Sequence, residues 1–241
     1  MAQKPLNDAR VRRALRMAVD TREIIDKAIF GGGVLSGPIN TGFANWALDP
    51  RTLPFNTPDV DGAKRLLAEA GYPNGGFTIE IRCSPHYPEF VASALVIQQS
   101  LRTLNVTVNV VQMEWGAFSA AITQAVQTGG REGGQVFATA LTFRPGPDGY
   151  VYPCFSSKGS YNIGVYANPA LDRLMDEARS ITNADQRRSL YVTIQRALLQ
   201  DSPYWWWYAK YNIEALSTRF HGYQQSFTGR RIFLKRTWMA A

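Results

Sequence analysis

From Val11 onward, apolar side chains return every three or four positions: Val11, Leu15, Ala18 and Val19, then Ile24, Ile25 and Ile29. That period predicts one helix, with Asn7 or Asp8 placed to cap its start and Gly31 to Gly33 to end it. Residues 34–57 lose the period and read as an ordered loop. A second helix follows in "DVDGAKRLLAEAGYPNGG". Asp59 or Asp61 caps it, Leu66, Leu67 and Ala70 face inward, and Gly71 and Pro73 stop it. The pattern then switches to strict alternation in "FTIEIRC", which reads as a strand. Helix "PEFVASALVIQQSLRTLN", strand "VTVNVVQM", helix "WGAFSAAITQAVQTG" and strand "QVFATALTF" complete the series.

Strands alternating with helices over short connections predict an α/β fold with a mainly parallel sheet flanked by helices. Two amphipathic helices come next, "NPALDRLMDEARSI" and "ADQRRSLYVTIQRALLQD". The second starts after Asn183 and ends before Pro203. The run "SPYWWWYAKY" is read as a strand. Alternation places Trp205 and Trp207 on one face with Pro203, and Trp206 on the other with Tyr204 and Tyr208. A strand aromatic on both faces suits a sheet covered on both sides, so this run reads as core. "RRIFLKRTWM" is expected to be a further strand.

Composition narrows the class. The chain has 241 residues, 45% hydrophobic and 19% charged, as in an ordinary globular protein. Its net charge is +7, but the basic residues are scattered and form no stripe for nucleic acid. The densest groups, "RVRR" at Arg10 to Arg13 and "GRRIFLKR" at Gly229 to Arg236, read as solvated faces. No stretch approaches the roughly 18 apolar residues of a membrane helix. The first residues lack the apolar core of a signal peptide, so the chain is expected to be cytosolic or cut from a longer precursor. Cys83 and Cys154 fit either two buried small side chains or, in an exported protein, one long-loop disulfide.

Ligands of open parallel sheets bind beyond the carboxyl ends of the strands. Three loops leave those ends: "SPHYPE", "QMEWG" and "FRPGPDGY". If the strands are parallel, one edge displays His86, Tyr87, Trp115, Phe143, Arg144, Asp148 and Tyr150. Aromatic surface with one cation and one anion suits a small polar ligand with an apolar part. Trp115 fits equally as a residue packed on the sheet. Arg144 fits as a bidentate carboxylate anchor or as the structural partner of Asp148. Nucleophile elbow, phosphate loop and HExxH are all missing, and His, Cys, Asp and Glu are nowhere spaced for a metal. Neither catalysis, a metal nor a cofactor is expected.

Four stretches together resemble family 5 extracellular solute-binding proteins, the dipeptide, oligopeptide and nickel type of ABC importer receptor. "NDARVRRALRMAVDTREIIDKAIFGG" looks like a charged helix, an aliphatic–Asp–Arg-like turn and a second helix ending in Gly. "DVDGAKRLLAEAGYPNGG", "FRPGPDGYVYPCFSSKGSYNIGVYANPALDRLMDEAR" and "DQRRSLYVTIQRALLQDSPYWWWY" follow in family order. The resemblance implies a type II periplasmic-binding-protein lobe without catalysis, corresponding to the C-terminal half of a two-lobed receptor. Residues 1–207 would be the second lobe, and 208–241 the hinge crossing and a tail belonging to the first. It implies a periplasmic location, a membrane permease partner, and a peptide or small polar solute trapped by lobe closure. Asn162, in the Asn-x-x-x-Tyr stretch, joins the ligand set. Of the aromatic run, Trp207 or Tyr208 is the residue to face the cleft. Peptide-binding members carry an aspartate near the register of Phe143 and Arg144, which this chain lacks, so an anionic or zwitterionic solute is expected. The competing expectation is a cytosolic enzyme or regulator on the same lobe.

Overall fold

The computed structural model describes residues 3–132, 135–141, 146–226 and 232–239. The first apolar stretch forms two helices rather than one, α1 (Ala9–Met17) and α2 (Thr21–Ile29). The break has a local cause. Asp20 takes an extended conformation and its side chain accepts from the Arg22 N–H, so it caps a new helix while the apolar period runs on across the gap. Asp8 caps α1 in the same way.

Past Gly31 and Gly32 the chain enters β1 (Gly33–Leu35), and after the loop, α3 (Val60–Glu69), capped by Asp59. Then come β2 (Thr78–Cys83), α4 (Pro88–Leu101), β3 (Thr107–Gln112), α5 (Trp115–Gln127) and β4 (Val136–Phe137). The three strands form a parallel sheet in the order β3-β2-β4. This is the expected α/β arrangement, although β4 is much shorter than "QVFATALTF". The Ala138 N–H still donates to the Arg82 carbonyl at 2.8 Å, and β2 ends one residue beyond that acceptor. Ile79, Ile81, Cys83 and Val108 form one buried face with α1 to α4.

A second apolar cluster is built by α6 (Asp148–Phe155), α7 (Pro169–Ser180) and α8 (Ala184–Asp201), together with Ile39. The sequence reading had left the first of these as loop. Cys83 lies in the first cluster and Cys154 in the second, each with its own thiol.

The aromatic run lies between the two clusters. Ser202 adopts a left-handed conformation (φ 46°) that ends α8, and the run is extended but unladdered until β5 (Tyr208–Lys210). The expected strand is therefore shortened to its last residues, because β1, its antiparallel partner, is only three residues long. Gly33 permits that pairing: a Cβ there would lie 2.7 Å from the Ala209 carbonyl oxygen. Alternation still sorts the rings. Trp205 and Trp207 pack on the first cluster, Tyr204 and Trp206 on the second. Tyr208 joins the first, opposite to expectation, where burial raises its phenol pKa.

The "RVRR" helix is also corrected. Arg12 and Arg16 are buried, one turn apart on α1. Arg12 donates to the carbonyls of Asp201 and Ser202, satisfying the end of α8. Among the described residues the tail forms the short antiparallel pair β6 (Phe220–His221) and β7 (Trp238–Met239), and Ile232–Arg236, expected as part of the last strand, is a 3-10 turn. Residues 229–231 of the second basic group lie outside the described residues.

Candidate functional site

Two of the three carboxyl-end loops meet. The Met113 N–H donates to the Cys83 carbonyl at 2.9 Å, holding the ends of β2 and β3 side by side. After β2, the chain turns through Ser84: its carbonyl accepts from Tyr87 N–H at 3.1 Å, and its hydroxyl from His86 N–H at 3.4 Å. After β3, the Glu114 carboxylate accepts from the N–H groups of Gly116 (2.6 Å) and Ala117 (3.2 Å), capping α5 so that Trp115 leads it.

These anchors bring His86, Tyr87 and Trp115 into one cluster. Ring centroids are 4.8 Å apart for His86–Tyr87, 5.7 Å for His86–Trp115 and 5.4 Å for Tyr87–Trp115. Phe90 and Phe118 sit one helical turn further in, against Tyr87 and Trp115, and Phe118 touches Phe137 of β4. The column runs from fully buried Phe118 to Trp115 (41% exposed) and Tyr87 (37%). The sequence reading missed Phe90 and Phe118; the i, i+3 spacing of each from its outer ring was the available signal.

The charged groups beside the platform are engaged. Lys210 of β5 donates to the Glu89 carboxylate in the first turn of α4 at 2.8 Å, linking that strand to the helix that follows the Tyr87 loop. This ammonium holds the Glu89 carboxyl below its ordinary pKa.

Phe143 and Arg144 fall outside the described residues. Asp148 and Tyr150 belong to α6 rather than to a loop. Tyr150 is buried in the second cluster with its ring edge-on to Phe43. Asp148 accepts from the Tyr191 hydroxyl at 3.4 Å and faces Arg179 at 3.6 Å. Asn162 braces its own loop: its amide donates to the carbonyls of Ser156 (3.1 Å) and Tyr166 (2.7 Å), and its oxygen accepts from Tyr166 N–H (2.9 Å). Trp207 stacks on the Arg16 guanidinium, 4.1 Å from its ring centroid, and Phe55 covers Arg16 at 3.9 Å. Among the described residues, no group of three or more His, Cys, Asp or Glu is arranged to hold a metal ion, and no helix is long and apolar enough to cross a membrane.

Comparison with known proteins places this arrangement. The Heme-binding protein A of Haemophilus influenzae is 30% identical over 237 residues, which is 95% of this chain and 41% of that protein. A probable di/tripeptide-binding protein of Pseudomonas aeruginosa is 27% identical over 95% of the chain and 43% of its own length. In structure, HbpA2 of Haemophilus parasuis superposes with a TM-score of 0.79 at 27% identity, over 99% of this chain and 46% of that one. The oligopeptide-binding AppA of Bacillus subtilis, solved with a nonapeptide, shares the fold with a TM-score of 0.82 at 24% identity, over 99% of this chain and 49% of that one. The chain thus spans less than half the length of these relatives. The defining pattern of the middle region of the family matches residues 1–162, and the chain belongs to the bacterial extracellular solute-binding proteins, family 5.

Proposed function

We propose that this chain is one lobe of the substrate-binding component of an ABC importer, taking peptides or similar small polar or anionic solutes by lobe closure without chemistry. The observation that carries this reading is the half-exposed aromatic platform at the carboxyl ends of β2 and β3, in a family 5 fold whose relatives are named for binding peptides, heme and glutathione. His86, Tyr87 and Trp115 form the wall that this lobe presents to the ligand, and Arg144 is assigned to a ligand carboxylate.

Residues 1–207 are assigned to the lobe, and 208–241 to the crossing and a segment that packs on a facing lobe. Exposed apolar side chains support this division. Phe30, 92% exposed, immediately precedes the crossover segments. Beyond β5, Ile213 is 82% exposed, and Tyr211, Leu216, Phe220, Trp238 and Met239 are also open. Large apolar groups gathered in one stretch signal a partner surface. The cellular site in this reading is the periplasm, with a membrane permease as the docking partner of the closed form.

Titration calorimetry tests the proposal, using this chain joined to its facing lobe and a panel of two- to five-residue peptides. Saturable binding, with the peptide recovered intact by mass spectrometry, is the expected result. Cleavage of the peptide overturns it, as does failure of the panel and of protoporphyrin IX alike to bind.

A further inference from the structure

We infer that the ligand presents a flat, uncharged ring to the exposed surface of Trp115, with Tyr87, inclined at 74° to Trp115, meeting its edge, and that this platform selects the ring by stacking, apart from the carboxylate contact assigned to Arg144. The inference rests on the solute-binding reading above and names the chemistry of its ligand.

The ring geometry decides the mode. Centroid distances of 4.8, 5.4 and 5.7 Å are those of rings already in contact. An aromatic cage for an ammonium group needs its ring faces held apart around the guest. Here the rings fill each other's faces and edges, so a guest has only the outer surface to bind.

The charges beside the platform point the same way. In the two loops that build it, the ionisable carboxylates are Glu89 and Glu114. Glu89 is paired with Lys210, and Glu114 accepts two N–H groups of α5. Each carboxylate is thus engaged within the chain, beside the apolar rings.

Packing alone accounts for the inner half of the column only. Phe118 is completely buried and seals the sheet end against Phe137. Two further rings outside it, each more than one third exposed, add little to that seal. Hydrogen bonds at Ser84 and Glu114 anchor the backbone that carries them, and ring contacts preform the surface, which lowers the side-chain freedom lost when a guest stacks.

The test uses the chain joined to its facing lobe, titrated with Gly-Trp-Gly, Gly-Leu-Gly, Gly-Lys-Gly and Gly-Glu-Gly, and separately with protoporphyrin IX as a larger ring without peptide bonds. The expected result is that at least one ring ligand binds, the tryptophan peptide being favoured over the leucine peptide by roughly three- to tenfold. Trp115→Ala removes the preference and Trp115→Phe keeps most of it, with unchanged melting temperature in both. Preference for the porphyrin alone, lost in Trp115→Ala, supports stacking of a larger planar ring. Equal affinity for all four peptides with no porphyrin binding overturns the inference, as does tighter binding of a charged peptide or a preference that survives Trp115→Ala. Failure of every probe to bind overturns the solute-binding reading itself, and this inference with it.

Discussion

Arg16 is the most consequential side chain outside the platform, and its removal gives the sharpest test of how the aromatic run is held. It is 1% exposed, with Phe55 on one face at 3.9 Å and Trp207 on the other at 4.1 Å. Its Nη2 donates to the Thr21 hydroxyl (2.7 Å) and to the Trp206 carbonyl (3.1 Å) and its Nη1 to the Val19 carbonyl (3.4 Å), while its Nε is buried without a partner. Arg16→Ala removes two desolvated cation–π contacts, about 2 kcal/mol each, and three hydrogen bonds, of which the two shorter contribute about 1.5–3 kcal/mol each. Opposing this is the relief of a buried charge, roughly several kcal/mol. Burial disfavours that charge strongly enough to lower the guanidinium pKa. The net expectation is a loss of about 3–5 kcal/mol, including the cavity left between two rings. Arg16→Met fills that slot without the charge and should cost only about 1–2 kcal/mol. Urea unfolding followed by tryptophan fluorescence at neutral pH measures both, with an unchanged m-value as the check on two-state behaviour. Equal costs for Ala and Met, or a cost for Ala under about 1 kcal/mol, would refute the reasoning that the sandwich anchors the run.

Trp205, packed on the first cluster with its indole N–H donating to the Arg12 carbonyl at 3.0 Å, should cost about 3–5 kcal/mol on change to Ala, whereas half-exposed Trp115→Ala should cost under about 1 kcal/mol; the reverse order in urea unfolding contradicts the assignment of one to core and the other to surface. The Glu89–Lys210 pair makes an acid-sensitive contribution. Because the folded carboxyl pKa is depressed, the stabilisation is present above the unfolded value of about 4.3 and is lost as pH falls through the folded value. With Lys210 more than half exposed, it amounts to at most about 1 kcal/mol, so Lys210→Met should flatten the acid limb of melting temperature against pH, and an identical limb rejects the linkage. Asn162→Ala should cost about 2 kcal/mol by unpairing Ser156 and Tyr166 backbone groups while leaving peptide affinity unchanged; calorimetry showing weaker binding at unchanged stability would move Asn162 to the ligand.

The candidate site was legible where its geometry follows from topology. Parallel strands put their carboxyl-end loops together, so the sequence alone groups His86, Tyr87 and Trp115. Asp148 and Tyr150 could not be separated from them. The Pro-Gly-Pro-Asp-Gly chemistry reads as a turn, and only the apolar face of α7 and α8 gives that segment a surface on which to form α6. Arg16 escaped notice for a related reason. A charge within a basic helix reads as solvated, and the rings that cover it come from Phe55 and Trp207, far along the chain.

By itself the sequence determined the alternation of strands and helices, the parallel sheet, the start of α8 after Asn183, and the caps of α1 and α3 to within a pair of residues each, from which the structure takes Asp8 and Asp59, because period and capping act over a few residues. It also determined that Trp205 and Trp207 oppose Trp206, because an extended backbone alternates whether or not a ladder forms. Only the tertiary structure decided what lies on each side. Two separate apolar clusters meet at the aromatic run, and α8's unsatisfied carbonyls draw Arg12 inward. Burial of a charge depends on partners brought from distant segments, and no local pattern encodes where those partners arrive.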